Sequence, residues 1–154
     1  MSAIPEGFTT VTPTLVLKDA AKAIDLYTKA FGAKENYRME CPETHKIMHA
    51  CIEIGDSKVF LADEMPEMCA ATAASSFYLY MPDVDASFAQ AKKAGFKETS
   101  PVQDMFWGDR TGSMTDSYGI RWTIATHKRD VSPEDMKKGQ EEMMAKMKGK
   151  AKAA

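Results

Sequence analysis

The sequence predicts an α+β fold of two βαβββ modules related by a pseudo-twofold, followed by a C-terminal helix. The first observation behind this is an internal repeat. The segment "TLVLKDAAKAIDLYTKAFGAKE" begins at Thr14, and "YLYMPDVDASFAQAKKAGFKE" begins at Tyr78, about 64 residues later. The second is that each copy runs from a short strand-forming stretch into a helix with matching start and stop signals. The third is that strand candidates separated by turn residues follow each helix. Residues 1–63 are read as the first module, 64–74 as a linker rich in Met, Ala, Glu and Pro, 75–128 as the second module, and 132–149 as a helical tail.

The elements follow in order. Asp19 and Asp83 suit helix N-caps, because a short carboxylate can accept a hydrogen bond from an unpaired first-turn N–H. Ile24, Tyr27 and Phe31 in the first helix, and Val84, Phe88 and Ala91 in the second, recur at helical spacing. Gly32 and Gly95 supply left-handed C-caps. After Gly32 come a strand from Asn36 to Glu40, a proline-containing turn and the stretch "KIMHACIEI". Strict alternation there puts Met48, Ala50, Ile52 and Ile54 on one face and Ile47, His49, Cys51 and Glu53 on the other. Gly55-Asp56 is a hairpin signal leading to a strand from Lys58 to Ala62. After Gly95 the reading is Lys97 to Ser100, then a strand from about Met105 to Met114, a turn at Asp116–Gly119 and a strand from Ile120 to Thr126. Ser132-Pro133 opens the tail helix as N-cap and N1, and Met136, Met143, Met144 and Met147 form a packing stripe for the domain or a second subunit.

Composition narrows the function classes. A net charge of −2 offers no global attraction for nucleic acid. No apolar run approaches the roughly 20 residues of a membrane span, and "MSAIPEGF" lacks the basic flank and apolar stretch of a secretion signal. Three cysteines, Cys41, Cys51 and Cys69, show neither metal-knuckle spacing nor an even count for a disulfide framework, which fits the cytoplasm.

The stretch "MFWGDRTGSMTDSYGIRWTIATH", Met105 to His127, places two tryptophans beside charged residues. Alternation points Met105, Trp107 and Asp109 one way and Phe106, Gly108 and Arg110 the other. Tyr78, Tyr80 and Ser76 share one face of the fifth strand, and Trp122 alternates against Thr123 and packs between sheet and helix. Asp116 and Gly119 are turn chemistry, and Arg110 has a tail carboxylate as a possible partner.

The duplicated modules, with "TPTLVLKDAAKAIDLYTKAFGA" and "MFWGDRTGSMTDSYGIRW", resemble the vicinal oxygen chelate superfamily from about Ile4 to His127. That superfamily includes glyoxalase I, bleomycin- and fosfomycin-resistance proteins and extradiol dioxygenases, and the likeness is greatest to its small PhnB-like members. The resemblance implies an open cup between the sheets, often completed by a partner subunit, and hence a homodimer; it also implies that Trp107 walls this cup with Asp109 as its polar group, and that Tyr78, Tyr80 and Ser76 form a second wall. Metal-dependent members hold a divalent ion with side chains at four strand positions. Carried over by position, these fall on Thr12, His49, Ser76 and Thr123. Only His49 is a good ligand; Glu53 could be a second, and serine and threonine hydroxyls are poor ligands for zinc, nickel or iron. The expectation is therefore a site with no metal and no other cofactor. His49 then stands as a candidate general base, with Glu53 or Asp109 as its carboxylate, or as a hydrogen-bonded histidine of a half-polar strand. Cys51, with no basic neighbour, reads as packing, and His45 and His127 as surface. Three functions stand side by side: a binder of a small organic molecule in an aromatic cup, a metal-dependent lyase, isomerase or dioxygenase using His49, and a structural dimer module. Neither nucleic acid nor membrane is an expected partner.

Overall fold

The computed structural model describes residues 5–10, 12–65 and 75–152, with the side chains of all but 147, 151 and 152. The linker reading at 64–74 and Cys69 thus lie almost wholly outside the described residues. In chain order the elements are β1 (Thr14–Leu17), α1 (Ala20–Phe31), β2 (Lys34–Glu40), β3 (Ile47–Ile54), β4 (Ser57–Asp63), β5 (Ser76–Tyr80), α2 (Val84–Ala94), β6 (Lys97–Asp104), β7 (Asp109–Thr115), β8 (Arg121–His127) and α3 (Pro133–Lys152). They build two mixed sheets of four strands, ordered β1-β4-β3-β2 and β5-β8-β7-β6. The two orders are the same permutation, with one parallel pair in each, β1 with β4 and β5 with β8. That is the βαβββ unit used twice.

Both helices start and stop where local chemistry dictates. Asp19 accepts from Lys22 N at 3.1 Å and Asp83 from Ala86 N at 3.0 Å, each satisfying a first-turn donor. Gly32 (φ 67°) and Gly95 (φ 113°) close the helices in the left-handed region, where a side chain would be strained. The α1 start is also tied to its sheet, because buried Asp63 accepts from Ala20 N and Ile47 N.

The helices pack on each other, so the helix-covered faces of both sheets share one core. Trp122 of β8 lies at its centre, 2% exposed, with ring centroids 5.2 Å from Tyr27, 4.8 Å from Phe31 and 4.9 Å from Phe77. Such pairs add to the free energy of burial through edge and offset contacts. Buried Asp116 joins the modules. Its Oδ2 accepts from Tyr27 Oη and Trp122 Nε1, and its Oδ1 from Tyr118 N and Ile120 N. Asp116 is turn chemistry, as expected, and an inter-module clamp besides. The opposite face of each sheet is left outside this core, and there Tyr37, Met39, Tyr78 and Tyr80 are exposed.

Three expectations are corrected. Met48 does not share the helix-facing side of β3; it is 38% exposed, while Ile47 is 1% exposed. Pairing jumps from Met39↔His49 to Glu40↔Ile47, so Met48 is an extra residue in a bulge and the parity before it inverts. The strand expected from Met105 to Met114 is interrupted. The chain ends β6 at Asp104, turns through Phe106 and Gly108 (φ 98°), and begins β7 at Asp109. Pro101 sits inside β6, which is an edge strand and tolerates a missing donor. Arg110 pairs with Asp85 and Asp104 rather than with the tail.

Helix α3 begins with Ser132 Oγ accepting from Asp135 N at 3.1 Å. It meets the domain at Gly139, where an added Cβ would come within 2.6 Å of the Phe106 side chain. Met143 and Met144 stay exposed, and Met143 lines a cleft with Phe106 and Trp107.

Candidate functional site

The outer face of the second sheet gathers most of the polar and aromatic groups singled out from sequence. The turn at Asp116–Gly119 sets the β7–β8 register, which brings Asp109 opposite His127. Tyr78 and Tyr80 project from β5 on the same side, ring centroids 5.1 Å apart. The Asp109 carboxylate, 4% exposed, accepts at Oδ2 from both tyrosine hydroxyls at 2.8 Å and faces His127 Nδ1 through Oδ1 at 2.8 Å. His127 Nε2 in turn lies 3.0 Å from Asp130 Oδ1.

This arrangement fixes the charges. Hydrogen bonding to Asp109, then to Asp130, holds the His127 imidazole above its ordinary pKa, since both ring nitrogens meet a carboxylate. Burial pushes Asp109 upward, but hydrogen bonds from His127, Tyr78 and Tyr80 outweigh it and leave the carboxyl below its usual range. Tyr78 is pushed up to about 12, mainly by burial and further by Asp109, with Trp107 acting in the opposite sense. Tyr80 is raised chiefly by its hydrogen bond to Asp109. The cluster is an ionic knot with its donors and acceptors matched.

Beside it opens a cleft of about 230 Å³. Tyr78 and Trp107 border it, and hydroxyls of Thr111, Ser113 and Thr123 line it together with Arg121. Ser113 and Thr123 hydroxyls are 3.0 Å apart. Trp107 reaches the cleft from the β6–β7 turn, not from a strand, so the alternation argument for it does not apply. Ser76 sits opposite Arg121 in register and is exposed.

The remaining sequence candidates lie elsewhere. His49 projects from β3 of the first sheet, its Nε2 3.0 Å from Tyr37 Oη and its ring 4.6 Å from that of Phe60. Glu53 is opposite Lys58 and Lys34, and Thr12 is half-buried ahead of β1. Neither Asp109 nor Glu53 is a hydrogen-bond partner of His49; Asp109 belongs to the other sheet and to His127. Cys51 is fully buried, and burial raises its thiol, so it is packing and not a nucleophile. His127, expected at the surface, is half exposed, and its Nδ1 faces Asp109 within the cluster.

The model of the Glyoxalase/Bleomycin resistance protein/Dioxygenase superfamily matches residues 9–124. The chain belongs to this superfamily. An uncharacterized protein of Mycobacterium bovis is 35% identical over 135 residues, 82% of this chain and 88% of that protein. Among solved structures, TioX from Micromonospora sp. ML1 is similar with a TM-score of 0.65 and 24% identity, covering 77% of this chain and 98% of that one. TnmS3, an antibiotic binding protein from Streptomyces sp. CB03234, is similar with a TM-score of 0.60 and 20% identity, covering 83% and 100%. At these identities the two structures speak to the fold.

The divalent ion of metal-dependent superfamily members can be tested against the residues present. Of the four ligand positions, His49 is on the first sheet and faces Tyr37, while Thr123 is on the second and faces Ser113. Thr12 and Ser76 offer only neutral hydroxyls, which are weak ligands for such ions. Among the described residues no group of three or more His, Cys, Asp or Glu side chains could hold a metal. The donor set does not fit that ion.

Proposed function

We propose that this protein binds a small organic molecule, with an aromatic group against the wall formed by Tyr78 and Trp107, and does so without the superfamily's divalent ion. The observation that carries the reading is the cleft itself. It joins an aromatic wall to a floor of hydroxyls, and the ionic knot of Asp109 and His127 holds Tyr78 in place behind it. Pockets that recognise organic ligands combine a broad apolar lining with a few fixed polar groups. The antibiotic-binding function named for TnmS3 is consistent with this use of the fold. His49, engaged with Tyr37 on the other sheet, belongs in this reading to a second aromatic strip with Phe60 rather than to a catalytic dyad.

A homodimer is part of the proposal. Tyr37, Met39, Tyr78 and Tyr80 are exposed on the outer sheet faces, which a second copy would cover and so deepen the cleft. No helix among the described residues is long and apolar enough to cross a membrane, and a net charge of −2 gives no field for nucleic acid.

Tryptophan fluorescence tests the reading directly. Trp107 borders the cleft while Trp122 is 2% exposed in the core, so ligand binding should alter the Trp107 emission alone. A panel of aromatic compounds should produce saturable quenching that survives excess chelator and disappears in Trp107→Phe. Quenching that requires added divalent metal, or that persists in Trp107→Phe and is lost in His49→Ala, would overturn the assignment.

A further inference from the structure

We infer that the ligand of this cleft is a small aromatic carboxylate, anchored through its anion by Arg121. The inference rests on the proposed binding role of the cleft and adds the chemical class of its occupant. Arg121 projects from β8 on the outer face, flanked in register by Ser76 of β5 and Thr115 of β7. Its Nη2 donates to Ser113 Oγ at 3.3 Å, and among the described residues no carboxylate is within ion-pairing distance of it. Arg38 and Arg110, by contrast, each hold two carboxylates. Arg121 is thus a guanidinium with free donors at the edge of an aromatic cleft.

The other polar groups lining the cleft are neutral: the hydroxyls of Tyr78, Ser100, Thr111, Ser113 and Thr123, and the Gln103 amide. Asp109, the neighbouring carboxylate on β7, is 4% exposed, occupied by three partners and not part of the lining. An anion entering here meets one positive charge and no presented negative one. A guanidinium fork matches the two oxygens of a carboxylate with parallel hydrogen bonds, a geometry lysine could not supply. One guanidinium also balances one negative charge, which favours a carboxylate over a doubly charged phosphate ester. The volume, about 230 Å³, is below the roughly 300 Å³ at which clefts for drug-sized ligands begin, so a single ring fits better than a fused system.

The test uses matched acid and amide pairs, benzoate with benzamide and cinnamate with cinnamide, titrated calorimetrically into the full chain. The amides keep the ring and shape but lack the charge. The acids should bind at least about tenfold more tightly than their amides, as expected for a charge-assisted bidentate contact. That preference should vanish in Arg121→Gln and be only partly kept in Arg121→Lys, whose melting curves report that both are folded. Trp107→Ala should weaken acids and amides alike. Amides binding as well as acids, or a preference unchanged in Arg121→Gln, overturns the inference while a loss in Trp107→Ala still upholds the cleft. If neither class binds, or Trp107→Ala has no effect, the cleft reading falls with it.

Discussion

Tyr27→Phe isolates the polar clamp between the modules. The substitution keeps the ring that packs 5.2 Å from Trp122 and 6.2 Å from Phe31, and deletes only the hydroxyl that donates to Asp116 Oδ2 at 2.9 Å. Tyr27 is fully buried and its hydroxyl is held strongly against ionisation, first by burial and then by Asp116, so the group always donates. A hydrogen bond to a charged acceptor contributes about 1.5–3 kcal/mol. Among the described residues Asp116 has no cationic partner; it depends on four N–H and O–H donors, and losing one leaves the carboxylate less solvated in a site only 6% exposed. Tyr27→Phe should therefore lose about 1.5–3 kcal/mol in urea unfolding followed by circular dichroism. For a chain of this size that corresponds to a fall of roughly 3–12 °C in Tm. Asp116→Asn should lose more, because the amide presents a donor to Trp122 Nε1, which cannot accept. Tyr37→Phe is the control, since its hydroxyl meets His49 at an exposed position. A loss in Tyr27→Phe below about 0.5 kcal/mol, no greater than the control, would refute the clamp.

Two further outcomes follow from the ionic knot and the turn beside it. The raised pKa of His127 gives a stabilisation fully present below its unfolded value of about 6.5 and lost as pH rises through the folded value. The lowered pKa of Asp109 acts in the other direction, stabilising above about 3.9 and losing effect as pH falls through its folded value, so the knot is firmest between these limits. Proton NMR should give a His127 midpoint above about 6.5 that moves back toward it in Asp109→Asn; a midpoint at or below that value contradicts the assignment. Gly108→Ala forces a side chain onto φ 98° and drives its Cβ against the Arg129 carbonyl oxygen, whereas Gly119→Ala (φ 80°) meets nothing within 4 Å. Gly119→Ala should lose about 1–2 kcal/mol from backbone strain alone. Gly108→Ala should lose more and shift the Trp107 emission, and equal losses would show that the close approach carries no weight.

How much of this was legible in the sequence depends on how far each signal reaches along the chain. The helices, their caps and the burial of Trp122 rest on local rules, a cap three residues from the N–H it accepts or an apolar period within one helix, and the structure agrees with them. The side of β3 on which Met48 falls rests on the β2 partner, because only cross-strand pairing reveals the extra residue, and a single strand read alone must miss it. The interruption at Phe106 and Gly108 did leave a mark. Gly-Asp is a hairpin signal at Gly55-Asp56, and the same dipeptide recurs at Gly108-Asp109, inside a stretch whose alternation alone suggests a continuous strand.

The Asp109–His127 pair shows that long-range contacts can sometimes be counted. The Asp116–Gly119 turn was recognised, and an antiparallel hairpin fixes its register once its turn is fixed. Stepping outward from Thr115 opposite Arg121 brings Asp109 opposite His127 with no other information. What counting could not supply is Asp130, which curls back from beyond the strand end to meet the second imidazole nitrogen. It also could not place Tyr78 and Tyr80 over the same carboxylate, since β5 joins β8 as a parallel neighbour across a long connection. Recognising the family supplied the two-module cup that local rules lack, but three of its four ligand positions carry only neutral hydroxyls. One of them, Thr123, lines this cleft, and the cleft's other polar groups lie at positions such as Arg121 and Ser113. They acquire meaning only when the register sets an arginine among hydroxyls with no acid among the described residues paired to it.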